Sequence, residues 1–284
     1  LQLSLNIKRR PKGQLLKWVG NKYIHAADIT GVFPLRYNKY VEPFVGTGAV
    51  LATLNPNRGM ASDALVPLIE FWNLLKTSPQ ELLSYYKSEI ERFNQDRKSV
   101  YDEVKERFNS NHNPYDMLFL SRTCYGGVMR FRKDRYMSTP IGPHKPISPE
   151  AFEKRVYEWR ERIKNTDFYV MDFREAFDSV KKDDIVYCDP PYVDTQRILY
   201  GAQGFNFEDL YEKIKEAKNK GAYIALSIDG AKKSREQLIN IGIPDGLFER
   251  ELILDCGSSM LLRFQKNGKT MVGESVRDRL LLTW

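Results

Sequence analysis

Tyr40-Val41-Glu42-Pro43-Phe44-Val45-Gly46-Thr47-Gly48-Ala49-Val50-Leu51-Ala52-Thr53-Leu54 decides the fold. Tyr40 to Val45 reads as a strand. Gly46-Thr47-Gly48 turns it, and Ala49 to Leu54 forms an apolar helix. Closely spaced glycines after a strand let a ligand approach the backbone at the carboxyl end of a sheet. On the glycines alone, an ordinary strand-to-helix turn remains an equal reading. Leu51 stands where a dinucleotide fingerprint needs its third glycine, which argues against a nicotinamide enzyme. Met60 to Asp63 ends a second strand, and Leu65 to Leu75 has helical spacing. Together these segments open a doubly wound α/β domain with a mostly parallel sheet. Asp63, at the second strand end, suits a carboxylate that accepts from both ribose hydroxyls. Capping of the following helix is the plainer alternative.

The strand pattern returns downstream. Phe168 to Met171, Asp184 to Cys188, Tyr223 to Ile228, Leu247 to Leu254, Ser259 to Phe264 and Leu280 to Thr283 are strand candidates. Phe207, Leu210, Ile214 and Ala217 share one helix face, and Gly221 ends that helix. Residues 77–165 differ, being charged, aromatic and mainly helical. Ser148 caps a helix with Pro149 in its first turn, and Phe152, Val156, Trp159 and Ile163 form its apolar stripe. The expected division is therefore a sheet domain from residues 1–76 and 166–284, split by an inserted lobe over 77–165. Within that lobe, Ser121 to Pro146 reads as a hairpin or loop region. Arg122, Arg130, Arg132, Lys133 and Arg135 interleave there with Tyr125, Phe131 and Tyr136.

A formal net charge of +7 suits a polyanionic partner. Cys124, Cys188 and Cys256 lie far apart with no metal-type spacing, so no metal site and no disulfide framework are expected. No apolar stretch reaches the ~18 residues of a membrane span. With no leader or lipidation motif visible, a cytoplasmic location is expected.

Asp189-Pro190-Pro191-Tyr192 carries the most specific chemistry. It follows the buried-type strand Asp184-Ile185-Val186-Tyr187-Cys188 directly. The prolines end the strand and lack N–H groups, so their carbonyls are available to other donors. A carboxylate, carbonyl acceptors and an aromatic ring at one strand tip suit a flat base with an exocyclic amine. A rigid turn with a surface aromatic is the plainer reading.

In combination, the glycine turn and DPPY resemble the amino-methyltransferases of DNA. Their order, with an insert between them, is similar to the Dam-like adenine-N6 group. Leu16-Lys17-Trp18-Val19-Gly20-Asn21-Lys22, Asp172-Phe173, the Leu118 to Pro146 segment, Val272-Gly273-Glu274-Ser275 and Leu280-Leu281-Leu282 add to the resemblance. Two positions depart from the family pattern. Gly126-Gly127 stands for an Asn-Gly and Ser121-Arg122 for an Asn-Arg, which leaves the DNA target sequence open.

The resemblance implies a Rossmann-like methyltransferase fold, S-adenosylmethionine as donor and double-stranded DNA as partner. A cognate restriction endonuclease is a further partner it allows. Lys17, Trp18, Gly20 and Lys22 would enclose the donor, with Lys22 toward its methionine carboxylate. Phe44, Gly46 and Gly48 would line the methionine and ribose side, and Asp63 would hold the ribose. Asp172 and Phe173 would read the adenine edge. Asp189, Pro190, Pro191 and Tyr192 would hold a flipped-out adenine, with Asp189 also facing the donor. Arg122, Tyr125, Arg130, Arg132, Lys133 and Arg135 would meet DNA. Cytosine N4 methylation and a catalytically silent DNA-binding module remain the alternatives at this stage.

Overall fold

The computed structural model describes residues 8–18, 20–132, 134–191, 205–229, 242–258 and 275–284. Tyr192, Lys133, Cys256, the Ser259 to Phe264 strand candidate and most of the Val272 to Ser275 motif carry expectations that lie outside these residues or their described side chains.

Seven strands form one sheet in the order β3-β2-β1-β4-β5-β7-β6. The central strands are β1 (Tyr40–Glu42) and β4 (Ile185–Cys188). They are parallel, with Val41 opposite Val186. On one flank lie β2 (Gly59–Asp63) and β3 (Thr166–Val170), both parallel. On the other lies β5 (Tyr223–Asp229), also parallel. Then β7 (Ser275–Leu282) runs antiparallel between β5 and β6 (Arg250–Ser258). The chain thus leaves β1 in one direction and resumes at β4 in the other. Such a switch point opens a crevice beyond the strand ends, where ligands of doubly wound sheets bind.

Strand β1 stops at Glu42, earlier than the apolar run suggested, because Pro43 has no N–H for the ladder. Strand β6 starts at Arg250 rather than Leu247. Gly246 there has φ 71°, and Leu247 N donates to Pro244 O at 3.3 Å, so the chain is still turning.

Alternate strand residues feed two cores, the period of an extended chain. Tyr40, Ile185 and Tyr187 face one; Val41, Val186 and Cys188 face the other. The second core takes α8 (Phe173–Asp178) and α9 (Phe207–Asn219) through Phe177, Leu210 and Ile214. The first continues without a break from the sheet into the insert. It joins α2 (Ala49–Leu54) and α3 (Val66–Thr77) to α4 (Pro79–Gln95), α5 (Arg97–Asn111), α6 (Pro114–Thr123) and α7 (Pro149–Ile163). Ser148 Oγ accepts from Ala151 N at 3.3 Å, and Phe152, Val156, Trp159 and Ile163 are the buried residues of α7. The short α1 (Ala26–Gly31) packs against α2.

Between α6 and α7 a small hairpin packs on α5, with Met129, Phe131 and Met137 in the shared core and Asn109 bonded to the Met137 backbone. Antiparallel bridges join Cys124 to Ile141 and Phe131 to Met137. Ser138 N donates to Arg130 O and Arg132 N to Tyr136 O, both at 2.9 Å. Gly126 and Gly127 both have positive φ. A Cβ on Gly127 would meet the Cβ of Lys17 at 2.7 Å, so the N-terminal segment presses on the hairpin base.

Candidate active site

A cavity of about 360 Å³ opens where β1 and β4 end, within the size range of small-ligand sites. The register of Val41 with Val186 forces this meeting. One residue beyond Cys188 is Asp189, and a few beyond Glu42 come Phe44 and Gly46, all on its wall.

The glycine turn forms one side. Gly48 takes φ 61° at the start of α2, and a Cβ there would touch the Trp72 ring at 3.1 Å. Trp72 Nε1 donates to Gly46 O at 3.1 Å. The indole itself is clamped between Trp159 and Phe168, with ring centroids 5.8 and 5.7 Å away. The turn therefore rests on a stack that reaches into α7. Asp63 closes the turn from β2. Its carboxylate accepts from Gly46 N at 3.2 Å and from Leu65 N at 3.0 Å. Burial pushes the Asp63 carboxyl above its ordinary pKa, against the opposing pull of these N–H groups.

Next to Asp63, Met171 and the N-terminus of α8 line the cavity. Asp172 caps that helix, accepting from Arg174 N at 2.9 Å, and pairs with the Arg174 guanidinium at 3.0 Å. The plain capping reading of Asp172 therefore describes its present bonds, while its position also puts it on the cavity wall. Phe44 stacks on Phe173 with centroids 5.4 Å apart, and Phe205 meets both rings at 5.8 and 5.6 Å.

The opposite side comes from the segment before α1. Trp18, Gly20, Asn21 and Lys22 line it. Lys22 is 4% exposed. Its ammonium lies 2.8 Å from Asp189 Oδ1 and 3.4 Å from Asp278 Oδ2, and donates to Gly20 O at 3.0 Å. Lys22 thus engages protein carboxylates, where the sequence had pointed it toward a ligand's. Beneath Asp189, the buried Glu42 accepts from Tyr40 OH at 2.6 Å. Desolvation holds its pKa well above the carboxylate range, and the Asp189 charge adds to that rise.

The cavity therefore gathers Trp18, Gly20, Lys22, Phe44, Gly46, Asp63, Asp172, Phe173, Asp189 and Pro191. Pro190 is buried beside it without lining it. Gly48 lies beneath the turn, against Trp72, rather than on the wall. Lys17 sits apart from these: its Cβ packs over Gly127 at the hairpin base, off the cavity wall. Trp72, Phe205 and Asp278 were missed. An aromatic in a helix stripe reads as core, and no sequence signal pairs Lys22 with a carboxylate on the last strand.

Arg122 is placed differently from the expectation. Expected at DNA, it is 4% exposed. Its guanidinium donates to Leu15 O at 2.6 Å and Gln14 O at 3.1 Å. Burial pulls its pKa below the ordinary arginine value. It ties α6 to the N-terminal segment. Arg130, Arg132 and Arg135 are exposed around the hairpin tip, and Tyr125 is half-buried. Arg132 lies over the Tyr136 ring at 4.4 Å and pairs with Asp134 at 2.5 Å. Among the described residues, no group of three His, Cys, Asp or Glu is placed to hold a metal, and no helix is long and apolar enough to cross a membrane.

Residues 18–243 match the family model of the D12 class N6 adenine-specific DNA methyltransferases. The DNA adenine methylase of Vibrio cholerae serotype O1 is 30% identical over 224 residues, covering 75% of this chain and 79% of that protein. That of Haemophilus influenzae is 28% identical over 199 residues, covering 69% and 68%. That of Escherichia coli K12 is 32% identical over 184 residues, covering 62% and 64%. The family match spans the glycine turn, the helical insert and DPPY together, which sets aside both cytosine N4 methylation and a silent binding module. Cavity, motif order and kinship converge, and the chain belongs to the D12 class of N6 adenine-specific DNA methyltransferases, enzymes that place a methyl group on adenine N6 in DNA.

Proposed function

We propose that the methyl donor is S-adenosylmethionine and that the target adenine enters the cavity from outside the duplex. One observation carries this reading: a single cavity joins the Asp63 carboxylate, the Phe44–Phe173 ring pair and Asp189. These residues fit the donor's chemistry. Asp63 is an acceptor for ribose hydroxyls, the rings provide a surface for a purine, and Trp18, Gly20 and Asn21 enclose the amino-acid end. When bound, S-adenosylmethionine supplies an electrophilic methyl group on a sulfonium.

A base inside a duplex is out of reach, so the adenine is flipped out at a cost of a few kcal/mol. Its N6 amine is a poor nucleophile because the lone pair is conjugated into the ring. The Asp189 carboxylate accepts one N6 proton and, from its place in the motif, the Pro190 carbonyl accepts the other, drawing the nitrogen toward a tetrahedral shape. Tyr192, from its place in the motif, stacks on the ring. Positioning and fixed charge supply the acceleration, and no covalent enzyme intermediate is required. The chain acts in the compartment that holds DNA, the cytoplasm of a bacterial or phage-infected cell.

Asp63→Asn keeps an acceptor for Gly46 N but loses charge. Its Kd for S-adenosylhomocysteine is expected to rise about tenfold, measured by calorimetry. Unchanged affinity would remove Asp63 from the donor site. A 2-aminopurine placed at a mapped target adenine is expected to brighten on binding. A silent probe in a tight complex would end the flipping step.

DNA contact falls to the hairpin tip. Arg130→Ala is expected to lower the slope of log affinity against log salt by about one, with little change in stability. Arg122→Ala is expected to do the reverse. Urea unfolding should show a loss of about 2–4 kcal/mol, from two charged hydrogen bonds and a buried cation's place, with the salt slope intact. A salt slope that moved with Arg122 alone would invert this assignment.

A further inference from the structure

Lys22 sits between two carboxylates, and the proposed mechanism uses only one of them. Asp189 follows β4, whereas Asp278 belongs to β7, two strands away in the sheet. Asp278 is 7% exposed, which is unusual for an aspartate. A single Lys22–Asp189 pair would be neutral. The ammonium would then cancel most of the field that Asp189 presents to the target amine. With Asp278 included, the three charges sum to minus one among the described residues.

We propose that Asp278 is a positioning residue for methyl transfer: by sharing the Lys22 ammonium, it keeps Asp189 oriented and electrostatically negative toward N6. The inference rests on Asp189 being the N6 acceptor. The N6–C bond forms as the donor's S–C bond breaks, with that electron pair staying on sulfur. N6 becomes positive and then releases one proton to water. Net negative charge beside N6 stabilises this change, and the low dielectric of a buried cluster strengthens it. Lys22 cannot be simply omitted. Asp189 and Asp278 would then repel each other, and the carboxylate would lose its orientation.

A purely structural role for Asp278 predicts a different pattern of effects, so the test is a double-mutant cycle on the single-turnover methylation rate of the full chain. Asp278→Asn is expected to slow that rate about 10- to 100-fold, with affinities for S-adenosylhomocysteine and for DNA within about twofold of wild type. Asp278→Glu, which restores the charge, should recover a clear part of the loss. In an Asp189→Asn background, Asp278→Asn should cost less than about twofold more, because its effect passes through Asp189. Asp278→Ser is run in parallel, so that a folding defect in one variant does not decide the result. Equal losses in both backgrounds, or a wild-type rate in Asp278→Asn, overturn the inference while leaving Asp189 in place. A wild-type rate in Asp189→Asn itself would instead overturn the Asp189 reading, and this inference with it.

Discussion

Replacing Asp189 by alanine is expected to lower methyl transfer by about a thousandfold, since it removes the charged acceptor aimed at the reacting amine. The fold should survive. Lys22 retains Asp278 at 3.4 Å and the Gly20 carbonyl at 3.0 Å, so its buried ammonium is not left without a counter-charge. Breaking a buried pair is ordinarily severe because one charge is stranded. Here the second carboxylate offsets much of that cost. Binding of S-adenosylhomocysteine and DNA reports folding independently of turnover. Near-normal methylation by a folded Asp189→Ala protein would refute the assignment of the catalytic carboxylate.

The second large effect lies beneath the glycine turn. Trp72→Ala is expected to destabilise the protein by about 3–5 kcal/mol, the usual cost of deleting a large buried ring. Trp72 is fully buried, touches Trp159 and Phe168, and holds the Gly46 carbonyl. Trp72→Phe separates packing from hydrogen bonding. It keeps most of the stack but loses the indole N–H, leaving Gly46 O to find another donor. Stability should fall by only about 1–3 kcal/mol, and donor affinity should weaken alongside it. Urea unfolding and calorimetry on the same preparations measure both. If Trp72→Phe bound donor like the wild type, the indole would be a core residue with no hold on the turn.

How much of this could be read in the chain depended on the range of the interaction. The β1 turn and α2 were legible because strand, glycines and helix are adjacent in sequence. The stripe of α7 was legible because 3.6-residue periodicity is local. Arg122 was not. An arginine in the last turn of an apolar helix looks the same in sequence whether it meets a phosphate or the carbonyls of Gln14 and Leu15. Composition called the stretch basic, and only tertiary packing separated the buried guanidinium from the exposed Arg130, Arg132 and Arg135. The same limit hid Asp278. Only Leu280 to Thr283 was expected as a strand; β7 begins at Ser275, and its insertion between β5 and β6 decides where its acid lands. Lys17 lies off the cavity wall for a subtler reason. It neighbours Trp18 in a motif, yet successive residues of an irregular segment face different ways, and Gly127 leaves room for it elsewhere.

The place of β7 also has a consequence for biosynthesis. Among the described residues, strand β6 joins the sheet through β7, although it is made first. Until residues 275–282 emerge from the ribosome, the edge of β5 has no neighbour and β6 has nothing to dock on. At about 5–20 residues per second, several seconds separate translation of β5 from that of β7. Through that interval the nascent enzyme exposes an open strand edge, the kind of surface that recruits other chains. Crowded polysomes making this protein should therefore depend on chaperone cover until the final hairpin closes.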